Sequence, residues 1–102
     1  MSLGIDATTN LIVAWGQDRG ILPHPDAKAQ LTKTLEEVQE LADAVEKNDE
    51  AEAKDAIGDI YVTLVMQAHA WGFTMQECVL EAFDQIKSRT GKMVDGVFVK
   101  DS

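Results

Sequence analysis

The sequence has few of the features that mark secreted, membrane-spanning or nucleic-acid-binding proteins. It contains one cysteine, Cys78, so an internal disulfide is excluded and a reducing compartment is favoured. The stretch from Met1 to Asp6 has neither a basic cluster nor a long apolar run, so no secretion signal is visible. Nine Lys and Arg face eighteen Asp and Glu, and the net charge of −9 argues against a nucleic-acid polymer or an anionic membrane as partner. We therefore expect a cytoplasmic protein.

No segment is apolar for long enough to predict a membrane span. The run 60–76 lacks Asp, Glu, Lys and Arg, but it includes Thr63, Gln67 and His69 and falls short of about 20 strongly apolar residues. A buried core helix is the better interpretation of this run. With 102 residues, 45% of them apolar and 26% charged, the chain predicts a single globular domain over residues 1–102.

Capping residues and apolar periodicity predict the first two helices. We expect Thr8, Thr9 or Asn10 to cap the first helix, which ends near Gly20. The stretch 22–25 contains both prolines and must be a loop, because proline is not tolerated in a helix interior. Asp26 then opens the second helix. Apolar residues recur along it at three- and four-residue steps and form one stripe, which comprises Leu31, Leu35, Val38, Ala42 and Val45.

Two further helices and a hairpin complete the predicted fold. Asp49 begins a third helix that runs to Trp71, and Thr74 begins a fourth that ends before residue 91. Asp95-Gly96 joins two short β-prone runs and is typical of a two-residue hairpin turn. An isolated hairpin is marginally stable, so we expect it to pack on the helices or on a neighbouring subunit. The predicted class is all-α with a short C-terminal β-hairpin.

Acidic residues are concentrated in the middle of the chain. Between Glu36 and Asp59 there are ten acidic and two basic residues, so this segment carries −8 of the total charge of −9. Lys87, Arg89 and Lys92 form a basic cluster, with no acid among them. An acidic centre beside a basic edge suits a site that holds divalent cations and an anionic substrate together. Solvated helix faces remain the alternative for a charge run taken alone.

Helical geometry groups four of these acids on two successive helices. Glu37 and Glu40 are three residues apart and Asp55 and Asp59 are four apart, so each pair shares one helix face. The third helix is apolar on nearly every side after residue 60, so its carboxylates are expected to be partly desolvated. Such carboxylates are costly unless a cation, a donor or a proton compensates them. A bound metal is therefore predicted, and ligands that are all oxygen favour Mg²⁺, or Mn²⁺ in its place.

Two runs of the sequence resemble the MazG-like, all-α nucleoside triphosphate pyrophosphohydrolases. They are Lys-Thr-Leu-Glu-Glu-Val-Gln-Glu-Leu at 33–41 and Asp-Ala-Ile-Gly-Asp-Ile-Tyr at 55–61. Members of that family share a Glu-x-x-Glu motif on one helix and a Glu-x-x-Asp motif on the next. The resemblance extends to Trp15 upstream and to 87–92 downstream, so it covers most of the chain. It implies a four-helix bundle completed by oligomerisation, as a homodimer or homotetramer.

The resemblance implies a set of metal ligands by position. Glu37 and Glu40 match the first motif, and Asp59 matches the final acid of the second. The family usually has Glu three residues before Asp59, where this chain has Ala56. Asp55 is the only nearby acid able to replace that Glu, because a four-residue step also keeps one helix face. The expected ligands are therefore Glu37, Glu40, Asp55 and Asp59.

The implied activity is the Mg²⁺-dependent cleavage of a (d)NTP to a (d)NMP and pyrophosphate, in house-cleaning or in the control of nucleotide pools. Glu36 or Glu37 is expected to accept the proton of the attacking water. Trp15 is expected to stack on the base, although a Trp on an amphipathic helix is more commonly a core residue. The expected polyphosphate contacts are Lys33, Lys87, Arg89 and Lys92.

Two other functions stay open from the sequence. Ala56 suggests a catalytically weak relative that binds nucleotides or metal without turnover. The third hypothesis is a helical oligomerisation module whose acids form only a solvated face. The apolar third helix also predicts association of copies, because one small chain cannot easily cover such a helix.

Overall fold

A computed structural model describes residues 3–102 and consists of four helices followed by a two-stranded hairpin. The helices are α1 (Ile5–Asp18), α2 (Ala27–Lys47), α3 (Glu50–Ala70) and α4 (Met75–Ile86), and the antiparallel strands are β1 (Gly91–Val94) and β2 (Val97–Lys100). The predicted all-α class with a C-terminal hairpin is confirmed. Across the described residues, none of the helices combines the length and the hydropathy needed to cross a membrane.

Three of the four helices begin where capping residues predict. The side chain of Asp26 accepts hydrogen bonds from two amides in the first turn of α2. The side chain of Asp49 accepts one from the amide of Glu52 in α3. Thr74 and Glu77 form a reciprocal capping box at the start of α4. These acceptors satisfy amides that have no partner within the helix, and they fix where each helix starts.

The predicted start of α1 is wrong. The helix begins at Ile5 with Gly4 as its N-cap, about one turn before the expected caps. The hydroxyl of Thr8 donates to the carbonyl of Gly4, and that of Thr9 lies 2.7 Å from the carbonyl of Ile5. Both threonines therefore lie inside the helix and bond back to the preceding turn. The hydroxyl of Thr9 also lies 2.7 Å from that of Tyr61 on α3, a tertiary contact that supports this extra turn.

The core lies where α1 and the loop after it meet α3. Leu22, Val65 and Met66 are almost completely buried there. Gly16 permits the close approach of α1, because a Cβ atom at this position would lie 2.7 Å from Cε of Met66. The most extensive helix contact is between α2 and α3, which places the two acid-bearing helices side by side.

Considerable apolar surface is exposed in the single chain. After residue 60 of α3, Val65 and Met66 are buried, but Leu64 and the C-cap residue Trp71 are exposed, so the expectation of a helix buried on nearly every side is not met within one chain. Ile57, earlier on α3, is exposed as well. The outward side chains of α4 are exposed as well, and so are all eight strand residues. The hairpin therefore does not pack into the helices, which was one of two expectations. Packing on a neighbouring subunit stays a prediction.

Candidate metal centre

A tight reversal between α2 and α3 brings their acids together. Asn48 is the C-cap of α2 and adopts the left-handed conformation, with φ 54°. Asp49 follows directly and is the N-cap of α3. So short a connection makes the two helices antiparallel neighbours. As a result, the middle of α2 faces the first half of α3, and Glu37 and Glu40 lie beside Asp59.

Glu37, Glu40 and Asp59 form what we term the acidic triad. One carboxylate oxygen of each residue lies within 4.8 Å of the other two. Glu37 and Asp59 are half-buried and Glu40 is exposed, so the triad opens to solvent on one side. The structure thus brings together three of the four acids that the sequence places in a metal site.

Burial and neighbouring carboxyl groups together raise the pKa of two triad members. The pKa of Glu37 lies above its ordinary 4.5, first because of a hydrogen bond with Glu40 and then because of burial and the charges of Glu40 and Asp59. The pKa of Asp59 lies above its ordinary 3.8, mainly because of burial and then because of the charges of Asp55 and Glu40. Lys33 opposes both shifts without cancelling them. A full set of negative charges at the triad is therefore unfavourable without a cation.

The donor set of the triad fits Mg²⁺ or Mn²⁺. All three side chains offer carboxylate oxygens, which hard divalent cations prefer. Oε2 of Glu37 is buried and, within residues 3–102, has no hydrogen-bond partner. Buried polar atoms normally have a partner, and a bound cation would be the partner of this oxygen. Oxygens on opposite sides of Mg²⁺ lie about 4 Å apart, so small side-chain movements would close the triad on an ion.

Asp55 lies next to the triad and outside the group of three converging oxygens. Its charge and a hydrogen bond raise the pKa of Asp59, so the two carboxyl groups are neighbours on α3. Asp55 is exposed, whereas Ala56, at the position where the family usually has Glu, is only 1% exposed. The role of Asp55 as a metal ligand stays a prediction.

Lys33 and Glu36 form an exposed ion pair beside the triad. The Nζ atom of Lys33 lies 3.3 Å from Oε2 of Glu36, and both side chains are 58% exposed. The positive charge of Lys33 still acts on the triad, because it makes the rise in the pKa of Glu37 and of Asp59 smaller. Glu36 is not part of the triad and is open to solvent.

A cavity of about 350 Å³ between α1 and α3 borders the triad; we term it the Trp15 cavity. Trp15 is 43% exposed and is therefore not a core residue, and the guanidinium of Arg19 lies 5.7 Å from the centre of its ring. Asp59 belongs to both the cavity wall and the triad. The complete lining consists of Thr8, Leu11, Ile12, Trp15, Asp59 and Val62. Apart from Trp15 and Asp59, sequence reasoning did not identify these residues as functional.

The three cations after α4 lie on the exposed C-terminal part of the chain. Lys87 pairs with Asp84, with 3.0 Å between Nζ and Oδ1, while Arg89 and Lys92 follow as the chain enters the hairpin. In the part of the chain that the structure describes, none of these three cations lines the Trp15 cavity. Their role in binding phosphate stays a prediction.

The fold and the site together define an all-helical protein with a carboxylate centre shared by two antiparallel helices. Comparison with protein families identifies the family within that class. The model of the MazG nucleotide pyrophosphohydrolase domain matches residues 26–94. The matched segment includes α2, α3, α4 and the first strand, hence the whole acidic triad. The chain belongs to the MazG family.

A phage protein also shows sequence similarity. It is described as an uncharacterized 18.2 kDa protein in the rep-hol intergenic region of Haemophilus phage HP1 (strain HP1c1). It is 37% identical over 57 residues, which is 56% of this chain and 35% of the phage protein. The match thus spans about a third of the length of that relative. No solved structure gives a significant match.

Proposed function

We propose that the protein is a Mg²⁺-dependent nucleoside triphosphate pyrophosphohydrolase that converts a (d)NTP to a (d)NMP and pyrophosphate. The acidic triad carries this proposal, because three carboxylates converge from two helices and one of them has a buried oxygen without a partner. Phosphoryl-type transfer depends on charge neutralisation and positioning more than on covalent catalysis. Membership of the MazG family supports the reaction type. We place the activity in the cytoplasm, in house-cleaning or control of nucleotide pools.

The proposed mechanism gives each side chain of the site one task. Glu37, Glu40 and Asp59 would hold Mg²⁺, with Asp55 as the further proposed ligand. Bound Mg²⁺ neutralises phosphate charge and lowers the pKa of water. The water oxygen adds to one phosphorus of the α–β anhydride, and the bridging P–O bond breaks to release pyrophosphate. Glu36, which lies outside the triad and faces solvent, accepts the water proton, a task for which Glu37 is the alternative.

The Trp15 cavity is the proposed nucleoside site. Its walls are apolar and aromatic, which suits the faces of a base, and Asp59 joins it to the triad. A nucleoside there places the triphosphate towards the metal centre. Lys33, whose charge acts on Glu37 and Asp59, is the first proposed contact for the phosphates, and Lys87, Arg89 and Lys92 are the further proposed contacts.

We propose that the single domain acts as a homodimer or homotetramer. The exposed apolar side chains on α3 and α4 support this, since monomeric proteins rarely leave large contiguous apolar patches uncovered. Light scattering at micromolar concentration should give at least twice the 11.2 kDa mass of the chain. A clean monomer contradicts this part of the proposal.

Pyrophosphate release from a panel of canonical and modified (d)NTPs, measured with Mg²⁺ and with EDTA, tests the activity. We expect Glu40→Gln to abolish turnover while the protein stays folded, because Glu40 is exposed and its proposed role is ligation. Glu46→Gln is the matched control, since it removes the same charge from an exposed position of α2 outside the triad. Unchanged activity in Glu40→Gln rejects the proposed metal site.

Nucleotide binding and thermal melts, measured alongside pyrophosphate release, distinguish the two alternative functions. Tight nucleotide binding without pyrophosphate release at any pH favours a catalytically weak relative. A melting temperature unaffected by Mg²⁺ or Mn²⁺, with or without nucleotide, favours an oligomerisation module, because a ligand that binds the folded state must stabilise it.

A further inference from the structure

A hydrogen bond between two hydroxyl groups ties α2 to α3 close to the acidic triad. Oγ1 of Thr34 donates to Oγ1 of Thr63 at 2.8 Å. Thr34 lies three residues before Glu37 on α2, and Thr63 lies four residues after Asp59 on α3. The bond is therefore about one helical turn from the triad along both helices.

This hydrogen bond has a defined direction. Thr63 has one hydroxyl proton, and it donates that proton to the carbonyl of Ile60 at 2.7 Å. It can therefore only accept from Thr34. The hydroxyl of Thr34 lies 2.8 Å from Oγ1 of Thr63 and 3.0 Å from the carbonyl of Gln30, four residues back on α2, so its one proton is shared between these two acceptors. Thr63 is 7% exposed, so loss of the donor would leave a buried oxygen with an unmet hydrogen bond. The pair thus favours one alignment of the two helices.

A second polar contact supports the same alignment. Nε2 of Gln67, one turn beyond Thr63 on α3, donates to the carbonyl of Ala27 at 3.0 Å. Both interhelical contacts lie on one side of the triad, and the reversal at 48–49 lies on the other. The acidic triad is therefore held between a covalent connection and two hydrogen bonds, which together oppose sliding of α2 along α3.

We propose that Thr34 and Thr63 are positioning residues of the metal centre. Their hydrogen bond sets the register of α2 against α3 and so the separation of Glu37 from Asp59. Mg²⁺ demands near-ideal geometry with oxygen distances of about 2.1 Å, so a small shift of one helix separates ligands that must converge. The proposal rests on the metal site of the proposed function and is independent of hydrolysis.

Calorimetric titration of the full chain with Mn²⁺ tests this role directly. Thr34→Val keeps the branched shape but removes the hydroxyl, and we expect it to weaken Mn²⁺ binding about 10-fold, as loss of groups that orient metal ligands commonly does. Thr34→Ser keeps the hydroxyl and should restore the affinity. Thr32→Val is the matched control, because the exposed Thr32 hydroxyl also donates to the carbonyl four residues back, at 3.1 Å, and is not in an interhelical hydrogen bond among the described residues.

All titrations are made at a temperature where thermal melts show every variant to be folded. Unchanged Mn²⁺ affinity in Thr34→Val overturns the proposal, even if its melting temperature falls, because the role would then be only structural. Equal weakening in Thr32→Val overturns it as well. If Thr34→Val does not fold, Thr63→Val removes the acceptor and is judged by the same criteria. A wild type that binds Mn²⁺ but releases no pyrophosphate rejects the proposed function alone, whereas one that binds no Mn²⁺ rejects both.

Discussion

At the scale of single residues, Trp15 has an environment that a packing role does not explain. Its ring is substantially exposed, lines the cavity that Asp59 shares with the triad, and carries Arg19 at its face. Large aromatic side chains gain free energy when they are covered, and a base that stacks on the ring would cover it.

We expect Trp15→Ala to raise KM for the nucleotide about 10-fold or more, since base–aromatic stacking contributes about 1–3 kcal/mol. The value of kcat should change much less, because the side chain does not belong to the triad. Trp15→Phe is the control that keeps a stacking surface. Steady-state kinetics with a saturating Mg²⁺ concentration provide both parameters. An unaltered KM in Trp15→Ala would exclude this cavity as the binding site of the base.

Residue roles could be predicted from the sequence only where helical spacing fixes them. Glu37 and Glu40 share a face because they are three apart, and their motif points to Asp59 on the next helix. The Thr34–Thr63 hydrogen bond could not be predicted, because it depends on the rotation of α2 relative to α3. The walls of the Trp15 cavity were missed for the same reason, since Leu11, Ile12 and Val62 look like ordinary core positions in a periodic pattern.

At the scale of the elements, the stability of α3 depends on its N-cap. Asp49 accepts a hydrogen bond from the amide of Glu52 at 3.1 Å and closes the reversal that sets α2 beside α3. We expect Asp49→Ala to lower the free energy of unfolding by about 1 kcal/mol, because the capped amide loses its acceptor. Asp49→Asn keeps an acceptor and should lose much less. Urea unfolding compares the three proteins, and equal stability of wild type and Asp49→Ala would exclude a contribution from this cap.

The elements were predictable where a local signal decides their ends. Asp26, Asp49 and Thr74 mark helix starts through bonds within one turn, and Asp95-Gly96 supplies the two positive φ angles of the hairpin turn, 51° and 82°. The start of α1 was not predictable, because the hydroxyl of Thr9 can cap a helix or bond back along it. The contact with Tyr61, 52 residues away in sequence, favours the second arrangement.

At the scale of the whole molecule, the triad links stability to pH and to divalent cations. The pKa of Glu37 and that of Asp59 are raised on folding, so for these groups the folded state binds protons more strongly than the unfolded state. Their stabilising contribution is complete below the ordinary values of 4.5 and 3.8 and is lost as the pH rises through the raised values. Above that range, a bound cation should replace the lost protons as the stabilising partner.

We therefore expect Mg²⁺ to raise the melting temperature more at neutral pH than in mild acid. In EDTA, the variant with both Glu37→Gln and Asp59→Asn should lose less stability than the wild type as the pH rises across this range, because it lacks the two titrating groups. Thermal melts from about pH 4 to pH 8 cover the relevant window. Parallel pH profiles of wild type and variant would show that the triad does not contribute to this linkage.

The exposed C-terminal part of the chain has a consequence for amide exchange. Every residue from Glu81 to Ser102 is exposed, whereas the buried hydrophobic core is formed by Leu22, Val65 and Met66. Backbone hydrogen bonds in regions with little buried surface open at a lower free energy than those in the core. Deuterium uptake in a dilute sample should therefore reach the β1–β2 strands well before the middle of α3. Slower uptake in the strands at higher protein concentration would identify them as the place where a second copy docks.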